Sequence, residues 1–152
     1  MRLHGARWIM PAAILAFLGG TEAGAADPIG LVKTLSGSAM LERGGVTSAL
    51  QVGSDVLTDD VLLTGPDSAI GVTFRDDTTL SMGPRGRLVL DSFAFDPAGE
   101  NLEMGLGLMR GTFSVVSGQI AKLAPERLAV RTPTMTIGIR GTSFLVEVEG
   151  DE

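Results

Sequence analysis

The chain contains no cysteine and no tyrosine, and its only histidine and only tryptophan, His4 and Trp8, lie near its start. Without cysteine, neither a disulfide nor a lipid-modified N-terminus of the bacterial lipoprotein type can form. Without further histidine or any thiol, Cys-His and Ser-His catalysis and zinc sites lack their usual groups. Sugar stacking lacks its amphipathic rings. Only carboxylate or Ser-Lys chemistry remains, and we expect no enzyme, no metal and no cofactor.

The first 26 residues have the pattern of a secretory signal peptide. Two arginines precede an apolar run over Trp8–Leu18, and small residues follow over Gly19–Ala26. The apolar run is shorter than the roughly 20 residues of a spanning helix. Cleavage after Ala25 or after Ala26 fits equally well. We therefore expect a periplasmic or secreted protein, with a signal peptide over residues 1–26.

The predicted mature chain, residues 27–152, is acidic. Removing the signal takes Arg2, Arg7 and Glu22 from 12 basic and 18 acidic residues, which leaves a formal net charge of −7. Nucleic acid and anionic lipid are therefore poor partners, and stable membrane insertion is not expected. This length suits a single domain that buries its own core.

Short segments of alternating apolar residues, separated by Gly, Asp, Pro and Ser, predict an all-β fold. The 21 glycines fall mainly at segment ends, which implies many tight corners. Such a chain suits a solenoid-like stack of β-arcs or a compact β-sandwich. The residues 117–127 predict either one helical turn or a loop. The predicted strands are Gly30–Leu35, Ser38–Arg43, Thr47–Val52, Asp55–Leu57, Val61–Thr64, Ala69–Phe74, Thr78–Met82, Gly86–Leu90, Asn101–Leu106, Met109–Val116, Leu128–Arg131, Thr134–Ile139 and Thr142–Glu149.

Near the C-terminus, two alternating strands meet at Gly141. The stretch contains Thr132-Pro133, then Arg140-Gly141-Thr142, then Phe144-Leu145-Val146. These three pieces resemble the end of the signature of the FecR family, an extracytoplasmic domain first known from iron-dicitrate sensors. Earlier segments are similar to further parts of the pattern, so that the resemblance covers residues 33–149. They are Gly37-Ser38-Ala39, Leu50–Asp55, Asp60–Gly65, Phe74–Leu80 and Leu108–Gly111.

The resemblance implies the solenoid-like version of the fold and a non-catalytic binding module of the cell envelope. Signalling members also carry a cytoplasmic sigma-factor segment, a spanning helix and a secretin-type domain, which this sequence lacks. We therefore expect no transmembrane relay by this chain alone. The expected partner is an envelope protein or component, bound across an exposed strand edge or the Asp-rich turns. The alternative is a periplasmic sensor of a small ligand or carbohydrate, linked to signalling.

Aspartates cluster in the turns of the first half of the chain. Such carboxylates usually stabilise turns by accepting backbone N–H bonds, and we expect that role here. A calcium site needs about six to eight converging oxygens, and the spacing matches no known calcium loop. Asp60 and Asp77 are both carboxylates, as a hydrolytic pair requires, but no other feature of the sequence supports that pairing. The turn aspartates are Asp55, Asp59, Asp60, Asp67, Asp76 and Asp77.

Arg131 and Arg140 flank the signature strand, and a guanidinium fork there could bind a ligand carboxylate or phosphate. We expect instead an ion pair with a turn aspartate. The candidate binding or structural residues are Arg131, Arg140, Thr142, Asp60, Asp76 and Asp77.

The turn after Phe74 departs from the family pattern, which the resemblance gives as Asp-Gly. Asp77 takes the glycine position, so we expect a positive φ there. The apolar register predicts that Phe74 lies opposite Leu80 and Val72 opposite Met82, with residues 76–78 as the connection.

Overall fold

The computed structural model describes residues 26–140 and 143–150. In this part of the chain, strands dominate, as the alternating apolar pattern predicts, and no helix has the length and hydropathy that a membrane crossing requires. The strands are β1 (Gly30–Ser36), β2 (Ala39–Arg43), β3 (Val46–Ala49), β4 (Asp55–Val56), β5 (Val61–Thr64), β6 (Ala69–Phe74), β7 (Thr79–Met82), β8 (Arg87–Asp96), β9 (Asn101–Val116), β10 (Leu128–Arg131), β11 (Thr136–Gly138) and β12 (Ser143–Val148).

The strands form one sheet with two halves that share β9. In one half the order is β3-β2-β5-β8, followed by the first part of β9, β10 and β11. In the other it is β4-β1-β6-β7, followed by the last part of β9 and β12. All pairs are antiparallel except β9 with β10. The all-β class is confirmed, and the solenoid-like winding stays a prediction.

Four residues with positive φ lie at corners where the chain passes from one half of the sheet to the other. They are Gly37 (76°), Asp67 (53°), Arg85 (51°) and Gly111 (106°). The corners lie side by side. The Gly65 amide donates to the Ser38 carbonyl (2.9 Å), and the Arg85 amide donates to the Gly65 carbonyl (3.1 Å).

The two halves enclose a single apolar core. Leu62 and Leu88 come from one half, Val72 and Leu80 from the other, and all four are fully buried. Because one cluster takes side chains from both halves, the sheet curls around it. Its burial is the main stabilising term of the fold.

β9 corrects the sequence prediction of two strands, over Asn101–Leu106 and Met109–Val116. It is one strand, and Gly107 lies within it. In a sequence, a glycine inside a strand suggests that the strand ends there, because glycine has no side chain to continue the alternation. Here it admits a close neighbour instead: a Cβ at Gly107 would lie 3.3 Å from the Asp91 carboxylate.

The β6–β7 hairpin corrects the predicted register. Val72 lies opposite Leu80 rather than Met82, and Phe74 lies opposite Thr78, to which its amide donates (2.8 Å). The connection is therefore residues 75–77, one residue earlier than predicted. The shift is two residues along the partner strand, so every side chain keeps its predicted face.

One short helix, α1 (Gln119–Leu123), follows β9, and a 3₁₀ turn over Pro125–Arg127 follows it. Of the two alternatives for this segment, the helical turn is correct. An isolated helix of this length is unstable in water. Hydrogen bonds from the β6–β7 turn hold it in place, as described next.

Candidate functional site: buried aspartates and an open strand edge

Asp60 belongs to a buried ion pair. Its side chain is 1% exposed, and Arg43 from β2 donates to both carboxylate oxygens, with Nε at 2.8 Å and Nη2 at 2.6 Å. The Leu57 amide donates to the same carboxylate (2.7 Å). Hydrogen bonding to Asp60 raises the pKa of Arg43 above its ordinary value, against the smaller lowering by burial. These contacts hold the β4–β5 turn to β2.

Asp76 is fully buried and connects the β6–β7 turn to α1. Its carboxylate accepts from the Thr78 amide (3.1 Å), the Thr78 hydroxyl (2.8 Å) and the Ile120 amide (3.2 Å). The Asp76 carbonyl accepts from the Gln119 amide (2.7 Å). The Thr78 hydroxyl oxygen also accepts from the Gly118 amide (3.0 Å). The β6–β7 turn thus accepts backbone hydrogen bonds from Gly118, Gln119 and Ile120, and the Asp76 carboxylate accepts the last of them.

Asp77, the next residue, is exposed and has φ of 70°, as its glycine position in the family pattern predicts. It accepts one bond from Gln119 Nε2 (2.8 Å). Asp60 and Asp77 share no hydrogen-bond partner. Within the described ranges, no group of three or more His, Cys, Asp or Glu side chains could hold a metal ion.

Arg131, at the end of β10, pairs with Asp91 of β8 rather than with a turn aspartate. Its Nη2 lies 2.6 Å and its Nε 3.2 Å from the Asp91 Oδ2 atom. The pair crosses β9 where Gly107 has no side chain. Hydrogen bonding to Asp91 raises the pKa of Arg131 above its ordinary value. Because Asp91 occupies the fork, Arg131 is not a free anion site.

Of the other two candidate residues from the signature, Arg140 lies within the described residues and Thr142 does not. Arg140 is exposed and, in the described part of the chain, forms no hydrogen bond or ion pair. It lines a groove of ≈ 320 Å³ with Pro125 and Glu126. Thr142 lies outside the described residues, as does the predicted junction at Gly141.

The hydrogen-bonding direction of β9 fixes which groups of β12 are bonded. The Gly83 amide donates to the Thr112 carbonyl (2.9 Å), on the side of β9 where β7 pairs. Successive residues of a strand direct their backbone groups to opposite sides. The backbone groups of Phe113 and Val115 therefore face β12.

The partners of Phe113 and Val115 on β12 are Val146 and Phe144, which bond to β9. The three residues between and beside them direct their backbone N–H and C=O groups the other way. In the described part of the chain, β12 pairs with β9 alone, so that this edge is open. The residues with outward-directed backbone groups are Ser143, Leu145 and Glu147.

The open edge has an exposed apolar side chain and a groove beside it. Leu145 is 73% exposed although its neighbours Phe144 and Val146 are half-buried. A groove of ≈ 490 Å³ lies between β12 and the turn after β10. It is lined by Thr132, Pro133, Thr134 and Met135 and by residues 146–149 of the strand end.

A family model described as FecR protein matches residues 60–152, from the buried Asp60 through β12. The chain belongs to the FecR family. In this family the domain is extracytoplasmic and related to envelope signalling, and the family is regulatory rather than enzymatic. No curated protein and no solved structure matches the chain. The FecR match begins after β4, so the similarities noted over residues 33–59 lie outside it.

Sequence reasoning missed three residues of this region: Arg43, Asp91 and Leu145. The partners of Asp60 and Arg131 are distant in sequence, and no local pattern marks them. Leu145 did carry a signal, because it is the apolar member of an otherwise polar face with Ser143 and Glu147.

Proposed function

We propose that this FecR protein is a non-catalytic periplasmic or secreted module that binds an extended segment of an envelope protein along the edge of β12. The observation that carries the proposal is the set of outward-directed backbone groups at Ser143, Leu145 and Glu147, next to a groove. An unpaired strand edge is a template for β-strand addition, in which backbone hydrogen bonds provide affinity and alternate side chains provide specificity.

The edge also indicates the chemistry of the bound segment. Phe144, Val146 and Val148 are half-buried on the inner face of β12, and they extend the apolar core toward the edge. A strand added there would place every second side chain beside them, out of water. The segment therefore has apolar residues on one face and polar residues on the other.

Two binding surfaces are expected from the sequence, and the Asp-rich turns have less support than the strand edge. Asp60 and Asp76 are buried, and their oxygens already accept hydrogen bonds from the chain itself. A partner could reach them only by breaking those bonds, which would leave buried donors unpaired. We infer that these residues keep the module folded and that the edge binds the partner.

The proposal is tested by blocking the edge with proline. Leu145→Pro removes an amide that has no partner in the described residues, so it spares the bonds of β12 to β9. Thr47→Pro is the matched control at the opposite edge. The Leu50 amide donates to the Ala39 carbonyl (3.0 Å), and by alternation Thr47 also faces outward from β3.

We expect an envelope protein captured by the wild-type chain to be retained by Thr47→Pro and lost by Leu145→Pro, with all three chains folded by circular dichroism. Hydrogen exchange of the Leu145 and Glu147 amides should slow when the captured protein is added. Retention by Leu145→Pro, or unchanged exchange at both amides, would contradict strand addition at this edge.

A further inference from the structure

Two arginines stand directly opposite each other where β8 meets β9. Arg87 of β8 pairs in register with Arg110 of β9. Like charges at opposed positions destabilise a sheet. Glu42 is the acidic residue that approaches Arg87, and its oxygen lies at 3.9 Å with both side chains about 40% exposed (42% and 39%). Because the Glu42 contact is long and half-exposed, it offsets the repulsion between the two arginines only in part.

The backbone orients one of the two guanidinium groups. The register between β8 and β9 shifts at this point, and Met109 is the extra residue of a bulge. Bulges redirect side chains and are frequent beside binding sites. Arg110 Nε then donates to the Arg85 carbonyl (2.8 Å) at the adjacent corner. This bond holds the side chain and leaves both terminal NH₂ groups of Arg110 available as donors.

Both arginines line a pocket of ≈ 350 Å³. Met109 and Pro133 give it apolar walls, Thr134 adds a hydroxyl group, and the strand end at Glu149 and Gly150 closes one side. Pro133, Thr134 and Glu149 also line the groove beside β12. The arginine pocket is therefore continuous with the surface that the proposed function assigns to an extended segment.

We propose that Arg87 and Arg110 bind a single carboxylate group. Guanidinium forks bind carboxylate and phosphate with similar geometry, so charge decides between them. Among the described residues that line the pocket, two arginines and Glu149 sum to one positive unit, and Glu42 lies beside Arg87 just outside the lining. That balance suits a monoanionic carboxylate, whereas a phosphate dianion would meet repulsion from both glutamates.

The carboxylate has two possible sources, and only one of them rests on the proposed function. An acidic residue of the segment on β12 would reach the pocket through the shared residues Pro133 and Thr134. A free small carboxylate would enter without any segment. The test therefore uses separate probes for the two sources.

The experiment is a titration of the mature chain, followed by the Nε signals of Arg87 and Arg110 in nitrogen-15 NMR spectra at constant ionic strength. The probes are acetate, inorganic phosphate, and a hexapeptide of alternating valine and threonine ending in glutamate. The same peptide ending in glutamine, with all termini blocked, is the matched probe. The variants are Arg87→Gln, Arg110→Gln and, as a control away from the pocket, Arg127→Gln.

We expect acetate or the glutamate peptide to shift both arginine signals. Binding should weaken about tenfold or more in Arg110→Gln, since a charge-assisted hydrogen bond is lost, and stay unchanged in Arg127→Gln. The inference is wrong if neither carboxylate probe shifts the signals, if Arg110→Gln binds like the wild type, or if phosphate binds more tightly than acetate.

The two proposals fail in different ways. If both peptides bind equally well and Leu145→Pro abolishes both, the edge binds a segment and the carboxylate site does not exist. If acetate binds and Leu145→Pro leaves its binding unchanged while no peptide binds, the pocket stands and the edge proposal loses its support. Circular dichroism of every variant excludes loss of folding as the cause.

Discussion

Two arginine–aspartate pairs in the same half of the sheet have the same shortest contact and different surroundings. Arg43–Asp60 and Arg131–Asp91 both have an Nη2–Oδ2 distance of 2.6 Å. Asp60 is 1% exposed, whereas Asp91 is 26% exposed. A buried carboxylate without its donors is costly, whereas an exposed one is solvated by water. The distance alone thus says little about stability, and burial separates a structural pair from a marginal one.

The same contrast occurs between neighbours in one turn. Asp76 is fully buried and accepts three hydrogen bonds, whereas Asp77 is exposed and accepts one. The two buried carboxylates, Asp60 and Asp76, lie in the β4–β5 turn and the β6–β7 turn. The following substitutions test whether burial decides the difference.

The largest effect is expected from Asp76→Ala. It leaves the buried Thr78 and Ile120 amides without an acceptor, and each unsatisfied group costs about 1 to 3 kcal/mol. We expect the free energy of unfolding to fall by about 4 kcal/mol, measured by urea denaturation. α1 should lose its amide protection first, because its attachment is the bond network of Asp76. A loss below about 1 kcal/mol would show that water replaces the carboxylate at this site.

Asp60→Asn is expected to have the next largest effect. It removes the charge that faces Arg43 and keeps one acceptor oxygen for the Leu57 amide. Breaking a buried pair costs about 3 to 5 kcal/mol when the remaining charge stays buried, but Arg43 is 43% exposed and can turn to water. We therefore expect about 2 kcal/mol, by the same denaturation measurement. An unchanged denaturation midpoint would show that this pair contributes as little to stability as an exposed pair.

Local patterns determine much of this fold. The bounds predicted for Val61–Thr64, Ala69–Phe74 and Leu128–Arg131 agree with the structure to the residue, because residues typical of turns lie close to at least one end of each segment. The continuous β9 was not predicted, since the side chains that cover Gly105 and Gly107 come from β8. The hairpin register was wrong by two residues, a slip that leaves the apolar faces unchanged and is therefore invisible to the pattern.

The candidate site was predicted in outline only. Positive φ at Asp77 followed from the resemblance, because the family has glycine there. The distant partners of Asp60, Asp76 and Arg131 did not follow from the sequence, since each lies in a strand or helix that meets the residue only after folding. These partners are Arg43, Ile120 and Asp91. The open edge of β12 depends on which strands pair beside it, and a single alternating segment does not contain that information.

Arg131→Gln should change stability much less than Asp60→Asn. The Arg131 side chain is 55% exposed, so the loss of its pair with Asp91 is compensated by water on both partners. We expect a melting temperature close to that of the wild type, and the small difference should disappear at high salt. A drop comparable to that of Asp60→Asn, persisting in salt, would show that geometry rather than burial decides the strength of the two pairs.

Asp77→Gly is expected to have the smallest effect, because two terms oppose each other. A residue with a β-carbon at φ of 70° carries a penalty of roughly 1 kcal/mol, reduced for aspartate, which glycine removes. Glycine also gains entropy in the unfolded chain, and the exposed bond from Gln119 is lost. We expect a net change within about 0.5 kcal/mol. Calcium should not raise the melting temperature of the wild type. Destabilisation by Asp77→Gly, together with a calcium response of the wild type that the variant lacks, would instead make Asp77 a cation ligand and break the contrast with Asp76.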